Sequence, residues 1–177
     1  MRRPRRRARL PALVSLLLAW PLGAAAQPAR IAIILDDIGY NRGAGSRAVA
    51  LPGAVAVAIL PHTAHGAQLA EEAHASGKEV LLHLPMQAQN ASAGPGELAR
   101  VQTRAERTAA LIAGIAAVPY AGGVSNHKGS LLTTDAAAMR ELMVELRSRA
   151  LFFIDSYTTH LSVALNEARA QAVPALR

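Results

Sequence analysis

Residues 31–41 read IAIILDDIGYN, five apolar residues running straight into two adjacent carboxylates, Asp36 and Asp37. An unbroken apolar run of this length, closed by a glycine two residues after the acids, predicts a strand of a parallel sheet buried on both faces. Two like charges at its tip repel each other. Such a pair is unfavourable unless a positive group sits beside it. The stretch therefore asks for an α/β fold and for a cationic partner at the strand's end.

The rest of the chain supplies the α/β pattern. Apolar runs at 55–61 (VAVAILP), 79–85 (EVLLHLP), 122–126 (GGVSN) and 151–156 (LFFIDS) predict four more strands. Between them, the Gly-rich 39–53 leaves room for a short helix, and 64–76 predicts a helix ended by Gly77. Thr103 and Glu106 form a capping box opening a helix to about Ala117. Thr134 or Asp135 starts another through Arg149, with Leu142, Val144 and Leu146 among its apolar positions, and 160–172 predicts a last one. Residues 88–97, rich in Ala, Gln, Asn, Ser, Gly and Pro, predict a loop. Alternation of this kind implies parallel pairing through right-handed crossovers. The final PALR falls where a further strand is expected, so the pattern predicts a barrel or sheet incomplete at its C-terminal side.

Composition bounds the function. The formal charge of +7 comes almost wholly from Arg2, Arg3, Arg5, Arg6, Arg7 and Arg9, leaving +1 elsewhere, so no nucleic-acid surface is expected. Those arginines, the apolar LPALVSLLLAWPLG and the small residues before Gln27 read as a secretory signal peptide over residues 1–26, with the domain at 27–177. Export to the periplasm or cell envelope follows, with membrane attachment only through an uncleaved leader. The chain has no cysteine, which excludes disulfides, thiolate metal sites and cysteine nucleophiles.

In parallel α/β folds, chemistry gathers at the C-terminal ends of the strands. Here those ends carry Asp36 and Asp37, then His62 and His65, then His83, then Asn126 and His127, then Asp155 and Ser156. Asp37 with two histidines makes three ligands for a divalent cation, zinc by donor type, and leaves a position for water, as hydrolytic sites require. Asp36 is then placed to act as general base. His74, beside Glu71 and Glu72 in a helix, reads as a solvated face residue, and His160 as a helix-start residue.

ILDDIGYN, AVAILPHTAH, GKEVLLHLPMQ, GGVSNHKGS and LFFIDSYTT together resemble, in order and spacing, the divergent polysaccharide deacetylase family. That family is an exported bacterial branch of the NodB-homology carbohydrate esterases. The resemblance implies a distorted (β/α) barrel and a metal-dependent deacetylase acting on acetylated envelope polysaccharide or peptidoglycan. It implies Asp36 as catalytic base, and Asp37 and His83 as metal ligands. The superfamily's second ligand histidine, a few residues after the first, is replaced here by Leu84, Pro85, Met86 and Gln87. Strand-end logic puts His127 in its place. His65, Asn126, Asp155 and Ser156 are then substrate contacts or reserve ligands. The superfamily's general-acid histidine belongs to a segment beyond residue 177. A catalytically inactive relative that binds glycan or an envelope partner is the competing expectation. A phospho-receiver domain is excluded because His83 stands where its aspartate would end the third strand. A haloacid-dehalogenase-type phosphatase needs Asp-x-Asp, which is absent at this strand end.

Overall fold

The computed structural model describes residues 31–177; the leader expected at 1–26 lies outside the described residues. Six strands form one sheet in the order β1-β2-β3-β4-β5-β6, and every neighbouring pair is parallel. They are β1 (Ile33–Ile38), β2 (Val55–Ile59), β3 (Val80–Met86), β4 (Gly123–Lys128), β5 (Phe152–Ile154) and β6 (Ala175–Leu176). The intervening helices are α1 (Arg42–Val49), α2 (Gly66–Ala75), α3 (Arg104–Ala117), α4 (Ala136–Ser148) and α5 (Ala164–Ala170). Sequential strand order means that each right-handed crossover steps the same way, so the helices collect on one face and the sheet curls. The result is a half-barrel, an incomplete (β/α) barrel. A doubly wound sheet would instead reverse direction at a switch point.

β3 is the central strand, and all seven of its residues are buried. Its side chains alternate between faces. Leu82, Leu84 and Met86 join the main core with Val57, Ile59, Leu111, Val124, Met139 and Met143. Gly114 lets α3 approach closely, since a Cβ there would lie 3.3 Å from Leu82 and 3.6 Å from Leu84. His83, between those leucines, must therefore face the opposite way, into the concave side of the half-barrel.

Local sequence explains where the helices begin. Asn41 caps α1 by accepting from the Ala44 amide. Thr103 and Glu106 form the expected reciprocal capping box on α3. Asp135 accepts from the amides of Ala137 and Ala138 to start α4. Gly77, at φ +70°, follows the end of α2.

Several expectations are corrected. β1 is not buried on both faces: it is an edge strand, with Ile33 53% exposed, because only β2 pairs with it among the described residues. Val144 is not a core position; it lies 38% exposed while Leu142 and Leu146 are buried. β4 runs on to Lys128, carrying His127 within the strand, because its ladder with β3 continues as far as Met86. β5 stops at Ile154, which puts Asp155 and Ser156 in the following turn. α5 starts four residues later than the pattern predicts, at Ala164.

Leu84→Ala removes a fully buried side chain from the β3–α3 contact. It should cost about 2–5 kcal/mol in urea unfolding. Val144→Ala should stay within about 0.5 kcal/mol of the parent.

Candidate metal centre

The centre is assembled by strand register. On β3 and β4, His83 lies opposite Ser125 and Pro85 lies opposite His127. His83 and Pro85 share the concave face of β3, as Ser125 and His127 share that of β4. The next concave position after His83 on its own strand is thus a proline, which offers no side-chain ligand. The imidazole at that height comes from the neighbouring strand instead.

β1 contributes through a bulge. Leu35 pairs with Val57 and Ile38 pairs with Ile59, so two residues, Asp36 and Asp37, stand opposite the single Ala58. A regular strand would send adjacent side chains to opposite faces, and a bulge of this kind breaks that alternation. Asp37 sits at φ +59°, a left-handed conformation that aspartate tolerates better than most residues.

The outcome is a compact acid–imidazole group. Asp37 Oδ1 lies 2.9 Å from His127 Nδ1 and 3.4 Å from His83 Nε2. The two rings meet edge to face with centroids 5.1 Å apart. One ligand atom from each of Asp37, His83 and His127 falls within 4.8 Å of the others. Such a set of one carboxylate oxygen and two imidazole nitrogens suits a borderline divalent cation. The Asp37 side chain is 65% exposed, so the group opens to solvent.

Electrostatics favour the ligand form of His83. Burial, helped by the neighbouring His127 and opposed by Asp37, pushes its imidazole down to about 4 from the usual 6.5. The ring is therefore neutral at pH 7, and its contact with Asp37 is not an ion pair. Its Nδ1 shares a 2.8 Å hydrogen bond with Ser125 Oγ, which leaves Nε2 facing Asp37. Asp36 is perturbed in the sense a general base needs. Partial desolvation and the adjacent Asp37 raise its carboxyl above the ordinary 3.8, against a lowering influence from His127.

The remaining expected residues take other places. His65 precedes α2 and makes no side-chain capping bond; it is not part of the three-residue group. Asn126 is fully buried and works as a brace. It accepts from the Ser156 amide at 2.9 Å and donates to the Lys128 carbonyl at 2.7 Å. Asp155 is buried and engaged by Ser162 and Arg177, each at 3.0 Å. Ser156 is exposed and uses its amide, not its hydroxyl, in the bond to Asn126. Sequence reading missed Ser125. Its signal was present: it lies two residues before His127 on one strand, hence on the same face. A cavity of about 340 Å³ at the opposite ends of the strands, lined by Ile33, Val55, Lys78, Glu79, Leu81 and Phe152 among others, has no imidazole in its lining.

A half-barrel with paired carboxylates in the bulge of its first strand and imidazoles on its third and fourth has the architecture of a polysaccharide-deacetylase-type domain. Comparison with known proteins agrees. The profile of the divergent polysaccharide deacetylase family matches residues 33–177, and the chain belongs to that family. It is 33% identical over 149 residues to the uncharacterized protein YibQ of Escherichia coli, covering 84% of this chain and 47% of that protein. It is 34% identical over 148 residues to an uncharacterized protein of Haemophilus influenzae, covering 83% of this chain and 53% of the relative. The chain thus spans about half the length of the curated relatives it matches. A crystal structure of an uncharacterized protein from Agrobacterium tumefaciens superimposes with a TM-score of 0.76 at 22% identity. It covers 81% of this chain and 60% of the other, and shares the fold.

The depressed His83 pKa sets a pH window for the metal-free protein. The unfolded chain takes up a proton at this residue near pH 6.5, the folded chain only near 4. Stability contributed by the neutral ring is therefore complete above pH 6.5 and is lost as pH falls towards 4. Urea midpoints measured across that window should fall, and His83→Asn should flatten the slope. A variant with the parent's slope would exclude His83 as its source.

Proposed function

We propose that the protein is an exported, metal-dependent deacetylase acting on acetylated polysaccharide or peptidoglycan of the cell envelope. The observation that carries this reading is the convergence of Asp37, His83 and His127, from three strands, at one point on the concave face. Export rests on the leader pattern of residues 1–26. Among the described residues, no helix is long and apolar enough to cross a membrane.

Asp37, His83 and His127 are the residues that would hold the cation, zinc by the chemistry of the donors. Zinc supplies Lewis acidity, polarising an acetyl carbonyl and acidifying a water. The rest falls to the chain. Ser125 fixes the His83 ring so that Nε2 serves as ligand, and burial keeps that ring unprotonated. Asp36, with its raised proton affinity, takes the proton from the attacking water. The exposed position of both aspartates admits a polymer from solvent.

One observation favours a second reading, a glycan- or partner-binding domain without catalysis. Of Leu84, Pro85, Met86 and Gln87, which stand where the superfamily's second ligand histidine is expected, the first three are buried in β3 and Gln87 accepts from the Arg100 amide, so none supplies an imidazole.

Elemental analysis with an acetate-release assay on acetylated glycans separates the two. Under the deacetylase reading the parent binds one zinc per chain. Asp37→Ala, His83→Ala and His127→Ala each lose it. Asp36→Asn keeps the metal but releases acetate roughly 100- to 10,000-fold more slowly. Ser125→Ala should weaken zinc binding by roughly 10- to 100-fold. Full zinc occupancy in the parent without acetate release selects the second reading.

A further inference from the structure

We propose that Tyr157 is a saccharide-stacking residue, presented beside the acid–histidine group by a turn built to hold its ring still. This rests on the reading of the protein as a carbohydrate-directed domain, and it identifies one subsite of that surface.

The turn after β5 is anchored directly to the strand that carries His127. The Ser156 amide donates to Asn126 Oδ1 at 2.9 Å. The Thr158 hydroxyl donates at 2.9 Å to the carbonyl of Lys128, the residue next to His127. The Tyr157 amide donates to Asp155 Oδ1 at 3.0 Å, and Asp155 is itself held by Ser162 and Arg177. Within this frame Tyr157 adopts φ +49°, a conformation a bulky aromatic rarely takes unless its surroundings enforce it.

That strained backbone does not bury the ring. Arg177 lies 3.9 Å from its centroid over one face, yet Tyr157 remains 43% exposed. The guanidinium is tied to Asp155, so the ring rests on a fixed support and loses little freedom when a ligand arrives. Aromatic faces offer pyranose rings a flat apolar surface for their axial C–H groups. In a chain with three tyrosines, two phenylalanines and one tryptophan, a supported, part-exposed ring in a turn anchored to the strand that carries His127 is a distinctive feature. Tyr120 provides an internal contrast. It too is exposed and has a positive φ of 65°, but it lies just before β4, at the opposite end of the strands, stacked on His74.

The test uses the full chain and the tetramer of N-acetylglucosamine, titrated by calorimetry alongside the acetate-release assay. Tyr157→Asn removes the ring while tolerating the left-handed backbone; Tyr157→Phe keeps the ring; Tyr120→Asn is the control. Tyr157→Asn should weaken tetramer binding about fivefold or more. Tyr157→Phe and Tyr120→Asn should bind like the parent. Thermal midpoints and zinc content show that the variants remain folded. Parent-like binding by Tyr157→Asn, equal loss in Tyr120→Asn, or no tetramer binding by the parent overturns the proposal. Acetate release that is indifferent to Tyr157 removes the stacking role and leaves the deacetylase reading intact. Ring-dependent binding without acetate release keeps the stacking role and removes deacetylation.

Discussion

The extra residue in β1 is the constraint on which the candidate centre depends. Two adjacent aspartates on a regular strand would diverge, one into the concave face and one into the helix layer. The bulge between Leu35 and Ile38 lets both oppose Ala58, and Asp37 accepts a left-handed backbone to do so. This local distortion costs backbone energy. It delivers Asp37 to two imidazoles and leaves Asp36 beside it with a raised proton affinity. The edge position of β1 suits this division. Its exposed acids are hydrated, while the histidine facing them is held in the dry central strand.

That central strand separates two duties by face. Leu82, Leu84 and Met86 fill the layer under the helices, and the residues between them face inwards. Because β3 is tightly packed, His83 is desolvated and stays neutral, and Ser125 settles which nitrogen it presents. Register then substitutes for sequence. Pro85 occupies the concave position after His83, and its ladder partner on β4 is His127. The imidazole beside that proline comes from the neighbouring strand.

Asn126 and Asp155 show how polar groups at strand ends can be structural. Both are buried, and each satisfies its polar atoms on the chain itself, so neither is free to meet a substrate. What they support is the turn bearing Ser156, Tyr157 and Thr158, which is locked to the carbonyl beside His127. Strand-end position alone does not distinguish a ligand from a brace. The distinction lies in whether the side chain's hydrogen-bonding capacity is already used.

The alternation of apolar runs with capped helices, the parallel pairing and the gathering of acids and histidines at one edge were legible in the residues. These depend on patterning and on short-range capping, which a linear chain displays. Thr103, Glu106, Asp135 and Gly77 are instances. The bulge, the edge exposure of β1, the register of His127 on Pro85 and the braces at Asn126 and Asp155 were decided only by the tertiary structure. Each depends on which strand lies alongside, and at what offset. A shift of one residue would turn every one of these side chains to the other face of the sheet.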